Sequence, residues 1–522
     1  MSAKIGARSH PVYQRLCDLK KSGNAGRYGL LFSTQFKNYF YDTGTGKVLH
    51  IGDYEFKALQ AFFDPTISLD AFEKRCHQMA GDRLEKFLTT IDSEKLLCAP
   101  PVTAMHLASD DNWLEALDSD LQQLVLEVTE ACNFRCKYCI YNEDYEGNRD
   151  FGTAKMPQEI AQKAIDYLAE HSSSHFAVTF YGGGEPLANF PLVRWATEYT
   201  LEHYKDKHPT FNLTTNLTLV TDEIADFLAR TPGFSVVVSL DGPEEVQNAA
   251  RVYSANKPTF ADAMRGLNTL SKAFIKHGKS LTINSVLIPP YTYEKLERIN
   301  SFFESLDFLP PLTQCMITYP SPGTFPVENA VELMSGNPTY EFGAALNPLL
   351  KWQFEKAKQN GLSWEHTQNI YFNTMLKMME TIDGRMVTDA PDDLYHCNGC
   401  CVPGSRKLYV KANGDLLICE RIGSSPIIGN IFTGIDKTLL SEKYDTEYVA
   451  RSLPACKNCW AVNLCPICYA NCYTEDGIDP AEKASNCNGV RSQLERCFSM
   501  FYELLEENPS ALDALKETTR SS

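Results

Sequence analysis

The run Gln123-Leu124-Val125-Leu126-Glu127-Val128 is followed closely by Ala131-Cys132-Asn133-Phe134-Arg135-Cys136-Lys137-Tyr138-Cys139, and this stretch decides how the chain is read. A short apolar run bounded by polar residues has the length of a buried strand. Just after it, three thiols share one loop in the spacing Cys-x3-Cys-x2-Cys. The pattern around them is regular strand–helix alternation. Strands are expected at 123–128, 176–180, 210–215, 235–240, 281–287 and 315–319. The segment 156–171 places Ile160, Ala164, Ile165 and Leu168 on one helical face. Six strands joined by helical crossovers argue for a parallel α/β fold, a partial (β/α)6 TIM-like barrel over residues 120–320. Reactive groups then sit on loops at the C-terminal ends of the strands.

Three thiolates on one loop suit three irons of a [4Fe–4S] cluster. The fourth iron is left open to a small molecule, which a four-cysteine cubane does not allow. Zinc held by three cysteines and a distant histidine is the rival at this point. Of 18 cysteines, ten lie between Cys397 and Cys487 and three form this loop. Thiols kept only for packing would scatter. Cys17, Cys76, Cys98, Cys315 and Cys497 stand alone and read as packing thiols.

With 522 residues the chain is long enough for several domains. A formal net charge of −17 makes nucleic acid and anionic membrane poor partners. No stretch approaches eighteen apolar residues, so no membrane span is expected. Residues 1–11 lack the apolar core of a signal sequence, so a cytoplasmic location is expected. Clustered cysteines there hold metal or do chemistry more often than they form disulfides.

Residues 25–100 open with extended runs at 28–33, 39–43 and 47–51, the last two separated by Thr43-Gly44-Thr45-Gly46. Three helical patterns follow, with Asp53 and Ser68 as caps of the first two and Gly81–Asp82 opening the third. Phe56, Leu59, Phe62 and Phe63 share a face of the first. This is a winged-helix-like module, and the polar stretch after Cys98 reads as a linker. Residues 321–395 read as a largely helical connector and 396–490 as a C-terminal cysteine-rich Fe–S domain. That domain has few long apolar runs, so bound clusters would supply its stability. Residues 491–522 read as a helix and tail.

The triplet Cys132, Cys136 and Cys139, with Tyr138 before the third cysteine, resembles the cluster motif of radical S-adenosylmethionine (radical SAM) enzymes. The resemblance implies that the open iron chelates S-adenosylmethionine and that its reductive cleavage yields a 5′-deoxyadenosyl radical. Other segments match at strand ends. Gly182-Gly183-Gly184-Glu185-Pro186 is similar to the family's GGEP turn, which binds the methionine amino group through backbone oxygens. Thr215-Asn216 is similar to its TN-G element, with Leu217 in place of the glycine. Ser239-Leu240-Asp241-Gly242-Pro243 and Arg251 are similar to the segment that contacts ribose and carboxylate. Asn284 is a further candidate.

The later cysteines resemble a SPASM domain. Cys401-x12-Gly414-x4-Cys419 is followed by Cys456-x2-Cys459-x5-Cys465-x2-Cys468, then Cys472 and Cys487. Cys468 comes one residue earlier than the family pattern, and Cys472 is an alternative ligand. The resemblance implies two auxiliary [4Fe–4S] clusters. One takes Cys401, Cys419 and Cys468 or Cys472, with Cys397 or Cys400. The other takes Cys456, Cys459, Cys465 and Cys487. Two Cys-x2-Cys pairs also fit zinc. Glu420 occupies the place of an acidic residue assigned as a base in sulfatase-maturing relatives; a solvated surface glutamate is the plainer reading.

The N-terminal module resembles the recognition element of RiPP (ribosomally made peptide) maturases, which captures a precursor's leader by strand addition, here around residues 47–51. The implied partners are a precursor peptide with a leader and a reductant such as flavodoxin or ferredoxin. The implied activity is a peptide maturase of the sactipeptide or ranthipeptide type, forming thioethers from cysteine sulfur to carbon. Carbon–carbon crosslinking, epimerisation, sulfatase maturation, a non-catalytic zinc-binding peptide adaptor and a ferredoxin-like carrier remain alternatives.

Overall fold

The computed structural model describes residues 9–79, 82–107, 112–143, 145, 148–320, 324, 347–397 and 399–518. Its N-terminal part begins with a helix, Pro11–Lys21, that the sequence reading did not include. Strands β1 (Gly29–Ser33), β2 (Asn38–Asp42) and β3 (Val48–Ile51) form an antiparallel sheet in that order. Helices Asp53–Phe63, Leu69–His77 and Arg83–Ser93 follow. Ser68 caps the second through its hydroxyl, which accepts from the Ala71 amide. Asp53 is not a cap: Gly52 is, and Asp53 lies in the first turn, where its charge favours the helix N-terminus. Gly81 lies outside the described residues.

Strand β2 is buried on both faces, and its period of two divides its side chains between two cores. Phe40 belongs to the module's own core, with Leu59, Phe62 and Leu88. Tyr39 and Tyr41 belong to the main core. They meet the long helix Pro480–Glu507: Tyr41 and Phe498 rings lie 4.7 Å apart, Tyr39 and Tyr502 4.8 Å, and Phe32 and Phe498 5.2 Å. Such pairs contribute about 0.5–1.5 kcal/mol each beyond their buried area. The Thr43–Gly46 turn is tied down as well. Thr43 donates to the Trp460 carbonyl at 2.9 Å, and Asn463 donates to the Thr43 carbonyl at 2.9 Å.

The segment after Cys98 is more than a linker. Residues Ala104–His106 form β4, which pairs in parallel with a later strand, β11 (Leu394–His396); residues 108–111 lie outside the described residues. Strands β5 (Gln123–Leu126), β6 (Ala177–Phe180), β7 (Thr210–Thr215), β8 (Phe234–Ser239), β9 (Thr282–Val286) and β10 (Gln314–Thr318) are all parallel and neighbour one another in chain order. Amphipathic helices cover them. Gln158–Glu170, for example, buries Ile160, Ala164, Ile165 and Leu168. This is the partial barrel that strand–helix alternation implied.

Of the connector, 321–323 and 325–346 lie outside the described residues. Helices Asn347–Asn360 and Phe372–Asp383 complete it, followed by β11. The cysteine-rich segment does not form a detached layer. Its strand β12 (Leu408–Val410) pairs in parallel with β5, Leu408 opposite Leu124 and Val410 opposite Leu126. Strands β13 (Asp415–Leu417), β14 (Gly429–Asn430) and β15 (Gly434–Ile435) continue outward antiparallel, making one ten-stranded sheet. The helix expected near the end begins earlier, at Pro480, and carries Cys487; residues 519–522 of the tail lie outside the described residues. No helix among the described residues is long and apolar enough to cross a membrane.

Candidate active site

At the C-terminal ends of β5–β9 lies a cavity of about 360 Å³. It is lined by Cys132, Cys136, Cys139, Gly182, Gly183, Gly184, Glu185, Asn216, Ser239, Arg251, Asn284 and Glu420. Every candidate outside the later cysteines therefore reaches one space. Burial pushes the Cys132 thiol up to about 11 and Cys136 up to about 12, and raises Cys139 too. The three thiols of this loop open on one cavity, where three thiolates can hold three irons of a cubane, so the donor set fits a cluster.

The glycine turn follows β6 and packs against the cysteine loop. A Cβ on Gly184 would stand 2.0 Å from the Ala131 carbonyl oxygen, and one on Gly182, at φ 93°, would stand 2.9 Å from the Tyr409 ring. No larger residue allows that approach. Glu185 does not project freely. It is buried, and its Oε1 accepts from Thr215 Oγ1 at 2.7 Å and the Leu187 amide at 3.1 Å. Its Oε2 accepts from the Asn216 amide at 2.7 Å. Burial raises its pKa, while these three donors pull the other way. Glu185 thus locks the glycine turn to the end of β7. Asn216 Nδ2 in turn donates to Asn133 Oδ1 at 2.8 Å, which ties that strand end to the cysteine loop.

Leu217 explains its own departure from the TN-G pattern. It adopts φ 74°, the left-handed conformation that a glycine takes without strain. Its side chain is fully buried in the main core. The turn persists with leucine, and packing offsets the strain.

Arg251 is held at the mouth of β8. Its Nη1 donates to Tyr138 Oη at 2.9 Å and lies 3.9 Å from Asp241 Oδ1. Tyr138 donates to Asp241 Oδ2 at 2.5 Å, and Asp241 Oδ1 accepts from the Val286 amide at 3.0 Å. Tyr138 and Asp241 thereby became visible as supports; the sequence had marked both only by place, the tyrosine before the third cysteine and the aspartate within Ser239-Leu240-Asp241-Gly242-Pro243. Arg251 Nε is buried with no hydrogen-bond partner among the described residues. A buried donor left over beside a cavity fits an anionic group such as a carboxylate.

Glu420 reaches the cavity because β12 and β13 extend the barrel sheet. It follows Cys419 just beyond β13, and Lys407 precedes β12 across the antiparallel pair. Glu420 is 7% exposed, so it is not a solvated surface glutamate. Lys407 Nζ donates to both of its oxygens, at 3.2 and 3.1 Å. The Cys419 thiol lies 3.5 Å from Glu420 Oε2. Sequence reasoning missed Lys407, since nothing in its neighbourhood marks it before the strand pairing is known.

Apart from Cys419, which lies beside Glu420, the later cysteines form two neighbourhoods. Cys456, Cys459, Cys465 and Cys487 line a cavity of about 60 Å³ together with Cys397. The family scheme offered Cys397 to the other set. Cys400, Cys401, Cys468 and Cys472 lie near one another electrostatically. Burial pushes Cys397, Cys419 and Cys472 up to about 12 and Cys465 up to about 11. Among the described residues, no three His, Cys, Asp or Glu close round one point as a mononuclear metal needs; a cubane asks that each thiolate reach its own iron. Cys17, Cys76, Cys315 and Cys497 are buried and Cys98 half-buried.

A parallel barrel sheet whose first strand runs into Cys-x3-Cys-x2-Cys, with a glycine turn closing over that loop, defines the radical SAM class. The Radical SAM superfamily model matches residues 126–303. An uncharacterized protein of Methanocaldococcus jannaschii is 30% identical over 314 residues, 60% of this chain and 89% of that protein. The chain belongs to the radical SAM superfamily, and its cofactors are S-adenosylmethionine and [4Fe–4S] iron–sulfur clusters. It is similar to the serine-type anaerobic sulfatase-maturating enzyme of Bacteroides thetaiotaomicron, 28% identical over 165 residues, 31% of this chain. The match spans 40% of that enzyme's length. The fold is shared with anSMEcpe with bound AdoMet at a TM-score of 0.53 and 21% identity, covering 76% of this chain and 98% of that one.

Proposed function

We propose that this enzyme matures a ribosomally made precursor peptide by joining cysteine sulfur to carbon. The observation that carries the peptide reading is the outer edge of β3. It ends the three-stranded sheet and borders a groove of about 300 Å³ lined by Leu49, Ile51, Arg83, Phe87 and Ile91. A strand edge unpaired among the described residues, beside an apolar groove, suits an extended leader, with main-chain hydrogen bonds giving affinity and the groove taking side chains.

Bound S-adenosylmethionine, cleaved with one electron, supplies a radical that takes hydrogen from the substrate. Cys132, Cys136 and Cys139 would hold the cluster. The glycine turn would accept the methionine ammonium on backbone oxygens, and Arg251 would take the carboxylate. Ser239, Asn216 and Asn284 would contact the rest of the cofactor. Glu420, held by Lys407, would take the proton of the substrate thiol at the cavity mouth. Each bond formed would remove two hydrogens from the peptide, one as an atom and one as a proton that Glu420 would accept; auxiliary clusters, if held by the later cysteines, would supply an acceptor for the remaining electron. The later cysteines would hold those auxiliary clusters, and flavodoxin or ferredoxin would deliver the starting electron in the cytoplasm.

Sulfatase maturation is the second reading, favoured by the sulfatase-maturating relatives and by a buried acid at position 420. Mass spectrometry of a co-expressed precursor separates the two. A thioether gives a peptide lighter by two hydrogens whose formation stops when precursor cysteines are replaced. Formylglycine in a sulfatase-derived peptide, with no change in any neighbouring cysteine-rich precursor, would overturn the thioether assignment. Purified protein with zinc and no iron would overturn the catalytic reading of these cysteines.

A further inference from the structure

Lys483 is a buried cation that makes no ion pair among the described residues. It lies in the first turns of helix Pro480–Glu507 and is 7% exposed. Its Nζ donates to Tyr448 Oη at 2.8 Å and Ser452 Oγ at 2.6 Å, and stands 4.0 Å over the Tyr448 ring. All of these partners are neutral, and Lys483 makes no ion pair among the described residues. Burying an ammonium without an opposite charge costs several kcal/mol. The space beside it is the cavity lined by Cys397, Cys456, Cys459, Cys465 and Cys487.

Its reach extends to the other neighbourhood. Tyr448, which receives the Lys483 hydrogen bond, has its hydroxyl beside the Cys400 thiol. The ammonium thus faces the first cysteine group directly and is linked to Cys400 of the second through Tyr448.

We propose that Lys483 is the shared counter-charge of two auxiliary iron–sulfur clusters and holds both of their reduction potentials up. This rests on the auxiliary-cluster reading above. Reduction adds a negative charge to a cluster, so a fixed cation nearby favours the reduced form. Tyr448 and Ser452 are the positioning residues that fix the ammonium between the two groups.

The test is an EPR-monitored redox titration of the anaerobic holoenzyme, with iron counted. The wild type should hold roughly twelve irons, three [4Fe–4S] clusters. K483M and K483Q should show both auxiliary midpoints moved to more negative potential, with the cluster on Cys132, Cys136 and Cys139 unmoved. K483R should stay near the wild type. Loss of auxiliary iron from both neutral variants with retention in K483R also supports the counter-charge. Unchanged midpoints in K483M or K483Q, or iron lost from all three variants, would overturn it. A wild type with only about four irons overturns the auxiliary-cluster reading itself, a separable result.

Discussion

Leu217 offers a test in which two physical terms oppose each other at one residue. Its φ of 74° costs an L-residue about 1–2 kcal/mol relative to the right-handed region. Its side chain is 0% exposed within the core that supports β7. Leu217→Ala keeps the strain and loses the packing, a cost of about 2–5 kcal/mol. Leu217→Gly loses that packing and the buried Cβ as well, about 0.8 kcal/mol more, and about 0.4–1 kcal/mol for the freer unfolded chain, but it removes the strain. At an ordinary buried site glycine is the worse replacement. Here the relieved strain offsets both losses, so L217G should match L217A to within about 0.5 kcal/mol, with both below the wild type. The order is read from urea unfolding of the iron-free proteins, comparing midpoints at equal slope. L217G should also bind S-adenosylmethionine nearly as the wild type does, because the backbone that presents Asn216 keeps its turn. If L217A proves more stable than L217G by more than about 1 kcal/mol, the left-handed turn is not what this position requires, and the match to the TN-G element loses its physical basis.

Arg251→Lys keeps the charge and loses the fork, so S-adenosylmethionine affinity should fall by roughly ten- to a hundred-and-fiftyfold, the worth of one charge-assisted hydrogen bond at about 1.5–3 kcal/mol; equilibrium dialysis with the reconstituted enzyme reads it. Glu420→Gln should cut peptide product roughly a hundredfold or more while cofactor cleavage to 5′-deoxyadenosine continues, measured by chromatography of both products in one reaction. Lys407→Met should move the same ratio in the same direction, since it frees the carboxylate from its bidentate partner. Tyr39→Phe removes the 2.6 Å bond to Glu506 and keeps the ring, so the module should dock less firmly by about 1.5 kcal/mol and limited proteolysis between the module and the barrel should speed up.

The parts of this molecule that were legible beforehand are those written locally. The strands of the barrel fall where short apolar runs stand between amphipathic helices, with ends displaced by one or two residues, because burial on both faces leaves a strand no other sequence. The cavity was legible for a related reason. A parallel sheet delivers all its strand ends to one side, so motifs at 132–139, 182–185, 215–216 and 239–251 had to converge once the strands were placed. What stayed hidden depends on pairing between distant segments. Leu408–Val410 is three residues long and carries no strand signal of its own; its partner Leu124–Leu126 lies far back in the chain. Only that pairing carries Glu420 and Lys407 over the cavity, and the same extension makes the cysteine-rich segment part of the barrel sheet. Residues 104–106 looked like linker for the same reason, since their partner is Leu394–His396.

The N-terminal sheet shows how one strand can hide a joint. The alternation Tyr39, Phe40, Tyr41 reads as an ordinary buried strand, and nothing in it says that the two faces belong to different cores. The consequence is mechanical. Phe40 lines the groove beside β3, while Tyr39 and Tyr41 press on the helix that carries Lys483 and Cys487. The turn beyond β2 binds the carbonyl of Trp460, the residue after Cys459. A leader held along β3 would thus lie one strand away from a surface fixed to the cysteine cavity, with no flexible element between them. A detached module on a linker would raise the local concentration of peptide but leave its direction free. A module joined to the barrel through the Tyr39 and Tyr41 face of β2 would also fix direction, as the proposed reaction at one chosen carbon would require.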